Sequence, residues 1–195
     1  TLNLGRFMDQ IPDEADAPKA EAVSAEQNDG QAVAEEAPVP EIPEKEEFFG
    51  YAKGQAIAME EVNDETFANK VLGDGIAVIP EEGRVYAPAD GTIMSIFDTK
   101  HAVCFASTYG TEILIHIGAD TVNLQGKYFT AHVKDGDHVK KGQLLIEFDQ
   151  EQIKKAGYDT VIPMIFTDLP DDRKLEVSGP GAMDRNVTAA VVRKR

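Results

Sequence analysis

The chain has 195 residues with Lys+Arg 19 against Asp+Glu 35, a formal net charge of −16. An acidic excess of that size argues against nucleic acid and anionic membrane surfaces as partners and favours a soluble protein, or a basic protein partner. The single cysteine, Cys104, excludes an intrachain disulfide. No apolar run approaches the roughly 20 residues that cross a bilayer, so this segment is not expected to insert directly into a membrane.

Residues 1–47 read as a linker. They hold 13 acidic residues against three basic ones, and Ala, Glu, Pro and Gln dominate from Pro18 to Pro43. Such a chain repels itself and buries too little apolar surface to fold, so a disordered tether is expected. From Phe48 the character changes, and residues 48–168 are expected to form the folded domain. A short helix is expected over residues 64–70, with Asn63 or Asp64 as its cap. Strands are expected at 76–80, 84–86, 92–97, 102–106, 112–117, 132–133 and 144–148. Between them lie Glu82-Gly83, Asp90-Gly91, Tyr109-Gly110, Asp135-Gly136-Asp137 and Lys141-Gly142, all turn signals. A second short helix is expected over 151–156, stopped by Gly157. Pro170-Asp171-Asp172 ends the compact pattern, leaving residues 169–195 as a C-terminal tail without an assigned role. Many short strands punctuated in this way predict an all-β, compact antiparallel sandwich or barrel with short helices.

His101 and His116 are 15 residues apart on two consecutive expected strands. A hairpin symmetric about the Thr108–Tyr109 bond sets them directly opposite each other, with Cβ atoms about 5 Å apart. In that register His101, Val103 and Phe105 share a face with His116, Leu114 and Glu112. Ala102, Cys104, Ala106, Ile113, Ile115 and Ile117 then form the core face, with Cys104 a core residue. Two facing imidazoles suit phosphoryl transfer. A neutral imidazole is a nucleophile near pH 7 once its other nitrogen holds a proton on an acceptor, and a second imidazole can donate to the phosphoryl oxygens. Spacing alone leaves two alternatives open, a solvated strand pair and the beginning of a zinc site.

The motifs around these histidines are dense. They comprise Gly73-Asp74-Gly75-Ile76-Ala77, Tyr86-Ala87-Pro88-Ala89-Asp90-Gly91, Thr99-Lys100-His101-Ala102, Glu112-Ile113-Leu114-Ile115-His116-Ile117-Gly118, Asp120-Thr121-Val122-Asn123-Leu124 and Gly142-Gln143-Leu144-Leu145. In these motifs the chain resembles the enzyme IIA domain of the phosphoenolpyruvate-dependent sugar phosphotransferase system, glucose/β-glucoside (sucrose, trehalose) family. The resemblance implies a sandwich of duplicated hybrid-motif type, and residues 83–98 and 135–149 do echo each other. It implies phosphorylation of His116 on Nε2 with its Nδ1–H on the Gly118 carbonyl, support of the phosphoryl group by His101, and a hydrogen bond from Thr99 in the site. It implies HPr as donor and a cysteine of an enzyme IIB domain as acceptor. The docking ring it implies is Phe67, Val71, Leu72, Phe97 and Leu114, with Asp64 and Asp120 facing a basic partner. No cofactor is required on this reading, the phosphoryl group being the covalent intermediate, although adventitious zinc could sit at His101/His116. A cytoplasmic domain tethered through upstream enzyme IIB/IIC domains to the inner face of the membrane is the expected setting.

Two other readings share parts of this pattern. Ala87-Pro88-Ala89-Asp90-Gly91 and residues 135–142 resemble biotinyl and lipoyl swinging-arm carriers, but no modifiable Lys stands in a Met-Lys-Met or Asp-Lys-Ala tripeptide. His116 and Asp120 have the HxxxD spacing of a zinc peptidase barrel, but no His-x-His follows.

Overall fold

The computed structural model describes residues 43–195, so most of the expected linker lies outside the described residues. In chain order the strands are β1 (Lys45–Phe49), β2 (Gly54–Ala58), β3 (Asp74–Pro80), β4 (Arg84–Tyr86), β5 (Gly91–Ile96), β6 (Ala102–Ser107), β7 (Glu112–His116), β8 (Phe129–Ala131), β9 (His138–Val139), β10 (Leu144–Phe148), β11 (Ile162–Asp168), β12 (Arg173–Val177), β13 (Gly181–Met183) and β14 (Thr188–Lys194). Two short α-helices interrupt them, α1 (Glu65–Ala68) and α2 (Gln150–Lys155). Eight strands form one sheet in the order β13-β2-β3-β11-β7-β6-β5-β9, and two three-stranded sheets run β4-β10-β8 and β1-β14-β12. Every pairing is antiparallel. The expected all-β sandwich is what the chain forms.

The helices are short because their caps and stops are close together. The Asp64 carboxylate accepts from the backbone N–H of Thr66 and Phe67, and Asp149 accepts from Gln152 N–H. Each cap satisfies donors that the first turn leaves free. Gly157, at φ +92°, ends α2 in the left-handed region that glycine enters without strain.

The internal echo has a structural meaning. Its first copy supplies β4 and β5, and its second supplies β9 and β10. β10 pairs with β4, and β5 pairs with β9. Each copy therefore completes its ladder with a strand of the other, and neither can bury its apolar face alone. Val85, Ile93, Val139, Leu145 and Ile146 meet in one core with Phe105, Ile113 and Ile115.

The β6–β7 hairpin departs from expectation. Ala102, not His101, stands opposite His116, and Val103 stands opposite Ile115. The turn is the reason. Ser107 N–H donates to Thr111 O, so three residues form the loop, centred on Tyr109, with Gly110 at φ +86°. An odd loop shifts the register by one, which turns all of β6 over. Val103 and Phe105 enter the core, and Cys104 lies half-buried on the other face. The expected faces of β7 stand, while those of β6 are reversed. The strand expected at 132–133 sits slightly earlier, as β8.

Residues 169–195, read as a tail, fold back onto the domain. β14 pairs with β12 on one side and with β1 on the other. β1 itself begins at Lys45, inside the segment read as linker. The apolar positions of these elements explain the docking: Phe48, Ala189, Ala190, Val192 and Met183 are all buried. Each large side chain so covered contributes about 1.5–3 kcal/mol. Two polar clasps close the seam. Arg173 Nη1 donates to Pro43 O at 2.7 Å, and Thr111 Oγ1 donates to the buried Glu46 at 2.6 Å.

Phe48→Ala is expected to lower the unfolding free energy by about 3–5 kcal/mol. Deleting residues 173–195, which uncovers the same ring, should cost at least as much. Urea titrations of both variants measure it. A truncated chain as stable as the parent would mean that the seam is dispensable.

Candidate active site

His116 is the last residue of β7, and its Nδ1 lies 2.8 Å from Gly118 O. A carbonyl oxygen can only accept, so Nδ1 carries the proton and Nε2 keeps its lone pair. Gly118 reaches that position because it is a glycine. Its φ is +77°, and a Cβ there would stand 2.4 Å from Asp159 O and 2.4 Å from Thr121 Cγ2. The Gly118 N–H is tied across the sheet end to Val161 O at 2.7 Å.

His101 arrives by a different route from the one its spacing suggests. It precedes β6 and so escapes the strand's alternation. The turn before it places Lys100 in the left-handed region at φ 57°, with Lys100 N–H on Phe97 O at 2.7 Å. His101 O then accepts from Ile117 N–H at 2.8 Å, which pins it beside the end of β7. The two rings stand edge to face, with centroids 4.7 Å apart and an interplanar angle of 79°. The expected convergence occurs, although the expected register does not. Thr99 Oγ1 lies 2.6 Å from His101 Nδ1. If the hydroxyl donates there, His101 Nε2 carries the proton and can act as a donor.

Phenylalanines wall the pair. The Phe67 ring, set by α1 and its Asp64 cap, packs 5.1 Å from His116, and Phe97 packs 5.4 Å from His101. His101 is only 4% exposed, while His116 is half-buried. Burial is the main cause that holds both imidazoles neutral. It lowers His101 from 6.5 to about 3, with the neighbouring His116 pushing the same way. It lowers His116 to about 4 against the opposing pull of the Gly118 carbonyl, Asp64 and Asp120. Both rings are therefore uncharged at pH 7.

The remaining candidates divide by exposure. Val71 is 62% exposed, Asp120 is exposed, and Leu72, Phe97 and Asp64 are half-buried. Leu114, at 1% exposed, lies beneath the surface and offers a partner no area of its own. Val122, 47% exposed in the 3-10 turn Thr121–Leu124, is an apolar surface residue that the motif contained but to which no role was assigned. Thr121, in the same turn, is a second residue to which local sequence rules give no role. Its buried hydroxyl donates to Ile117 O, four residues back. The one signal for it in the sequence was a hydroxyl placed three residues after a glycine. Among the described residues, no three His, Cys, Asp or Glu side chains gather in a metal-holding group.

A sandwich that holds two neutral imidazoles in contact, one with a free Nε2, defines a histidine phosphocarrier type of site. Comparison with known proteins gives the family. Residues 46–171 match the model of the phosphoenolpyruvate-dependent sugar phosphotransferase system, EIIA 1, and the chain belongs to that family. It is 48% identical over 141 residues to a PTS system beta-glucoside-specific EIIBCA component of Dickeya chrysanthemi, covering 72% of this chain and 22% of that protein. It is 45% identical over 127 residues to a PTS system glucose-specific EIIA component of Halalkalibacterium halodurans, covering 65% of this chain and 73% of that one. The solved glucose permease IIA from Mycoplasma capricolum superposes with a TM-score of 0.72 at 32% identity, covering 76% of this chain and 96% of that one. The chain spans about a fifth of the length of the EIIBCA and EIICBA relatives it matches. It is a phosphoryl carrier component of the sugar phosphotransferase system, and the swinging-arm and peptidase readings are set aside.

The histidines should leave a mark on acid stability. Each binds a proton less readily when folded, at about 3 and about 4, than at its ordinary 6.5. As pH falls the unfolded chain takes up protons first. The stability tied to neutral burial is therefore complete above about pH 6.5 and drains away from there down to about pH 3. His101→Gln, which removes the more depressed group, should flatten the fall in unfolding free energy between pH 6.5 and 4. Parallel curves for variant and parent in urea titrations at each pH would rule out His101 burial as a cause.

Proposed function

We propose that His116 is the phosphorylated residue and Nε2 the reacting atom. The observation that carries this reading is the contact between His116 Nδ1 and Gly118 O, because it leaves Nε2 as the only nitrogen with a free lone pair. The donor is phospho-HPr. The Nε2 lone pair attacks phosphorus, the new N–P bond forms as the donor's N–P bond breaks, and the donor imidazole leaves with its electron pair. His116 then holds its Nδ1–H against Gly118 O while the ring bears positive charge, which the carbonyl, Asp64 and Asp120 stabilise. His101, held through Thr99, donates its Nε2–H to a phosphoryl oxygen. In the second transfer a cysteine thiolate of an enzyme IIB domain attacks the same phosphorus. The S–P bond forms, the Nε2–P bond breaks, and His116 returns to its neutral tautomer.

The donor and acceptor engage the same face in turn. Val71, Leu72 and Phe97 give it apolar area around the rings, Phe67 backs His116, and Asp64 and Asp120 suit a basic partner. The reaction needs no cofactor, and zinc on the two imidazoles would be adventitious. Relatives named EIIBCA and EIICBA components support a covalent link to enzyme IIB and IIC domains. Among the described residues no helix is long and apolar enough to cross a membrane. The setting proposed is a cytoplasmic domain tethered to the inner membrane face through the IIC portion.

Incubation with phosphoenolpyruvate, enzyme I and HPr is expected to add one acid-labile phosphate to the chain. His116→Ala should abolish the label. His101→Ala should still accept phosphate but pass it to an enzyme IIB domain at least about tenfold more slowly, the scale on which removing one general-acid or electrostatic donor acts. Normal labelling of His116→Ala would falsify the assignment.

A further inference from the structure

The tautomer of His116 depends on where one carbonyl points, and that carbonyl belongs to the most mobile residue type in the chain. Something must hold Gly118 still. The backbone supplies half of the answer. In the Ile117–Gly118 peptide, the N–H is taken by Val161 O at 2.7 Å. The C=O of that same peptide is taken by the hydroxyl of Thr121. With both polar atoms tied, the plane of the peptide cannot rotate. The direction of the next carbonyl, Gly118 O, then depends only on the two dihedrals of Gly118 itself, with φ at +77°.

Thr121 is built for this task in three respects. It is 0% exposed, so its hydroxyl has no water to turn to and donates to Ile117 O. It is β-branched, which leaves few χ1 positions open to it. Its methyl group faces the Gly118 Cα closely enough that a Cβ there would stand 2.4 Å away. Asp159 O also stands 2.4 Å from that same point. The Asp159 turn is itself closed, its Oδ1 accepting from Thr160 N–H at 2.6 Å and Val161 N–H at 3.0 Å. The Thr121 methyl and the Asp159 carbonyl therefore both crowd the side of Gly118 where a Cβ would project.

We infer that Thr121 is a positioning residue for phosphoryl transfer, its hydroxyl fixing the Ile117–Gly118 peptide so that Gly118 O holds the proton of His116 on Nδ1. This rests on the proposed role of His116. Thr121 acts through the backbone at a distance from the reacting nitrogen. Its loss should therefore change the population of the competent tautomer rather than remove the nucleophile.

Three variants of the full chain separate this from a merely structural role. Thr121→Val keeps the shape and removes the O–H, Thr121→Ala removes the hydroxyl without filling the space, and Thr121→Ser restores the donor. Nitrogen-15 NMR of the imidazoles reads the tautomer without any phosphoryl donor present. The parent is expected to show His116 protonated on Nδ1 only. Thr121→Val, or Thr121→Ala should the first not fold, is expected to show a mixture with Nε2–H. It should also take phosphate from phospho-HPr about tenfold more slowly, the scale on which loss of a partner that orients a histidine acts. Thr121→Ser should rescue both readouts. A single Nδ1–H tautomer in the hydroxyl-free variants, or a Ser variant as impaired as Val, overturns the inference even where the fold is weakened. Labelling of His116→Ala bears only on the placement of the phosphate, and the NMR result judges Thr121 in either case.

Discussion

One hydrogen bond organises the chemistry of this domain, the contact from His116 Nδ1–H to the carbonyl of Gly118. It decides which ring nitrogen keeps its lone pair, and it supplies negative partial charge where the proposed phosphorylation makes the ring cationic. Three structural demands follow from it. Residue 118 must tolerate φ +77° with no room for a Cβ. β7 must end at His116, so that the chain can turn back within two residues. The neighbouring strand end must supply Val161 O for the amide. The site stands where a strand stops, because only there is a backbone carbonyl free to serve a side chain and not a ladder.

Neutrality of the pair is the second constraint, and packing provides it. His101 lies under Phe97 and His116 beside Phe67. Burial of this kind disfavours the imidazolium form of both rings and keeps their lone pairs free well below ordinary pH. Asp64 and Asp120 pull the other way on His116. A fully apolar site would hold the neutral ring but would oppose the charged ring that the proposed phosphorylation creates. Two carboxylates at the margin moderate that without neutralising the pair.

The rest of the fold serves to hold these strand ends. The duplicated segments exchange strands, so that β4 is completed by β10 and β5 by β9. The first strand and the last ones form a separate three-stranded sheet, β14 lying between β1 and β12. Arg173 and Glu46 are buried at that seam, each with a hydrogen-bonding partner from a distant part of the chain. The start of the domain is thereby anchored where the acidic N-terminal segment leaves it.

Much of this was legible in the residues. The Asp64 helix start, the stop of the second helix at Gly157, most central strands and the two histidines follow from local rules of capping and alternation, which act over a few residues. The motif around His116 carried the expected Nδ1 contact as well. What local rules could not supply was register and closure. Whether the loop at Tyr109 holds two residues or three turns on a single hydrogen bond, and that bond reversed every side chain of β6. His101 meets His116 through the left-handed turn at Lys100, which no alternation pattern encodes. The strands at 173–194 and the crowding of Gly118 by Thr121 and Asp159 depend on segments far apart in sequence, brought together only when apolar faces are buried jointly. Composition and motif determined the class of protein and pointed to the two histidines proposed to react. Tertiary packing alone decided the strand register, the route by which the two rings meet, and the residues that hold Gly118 in place.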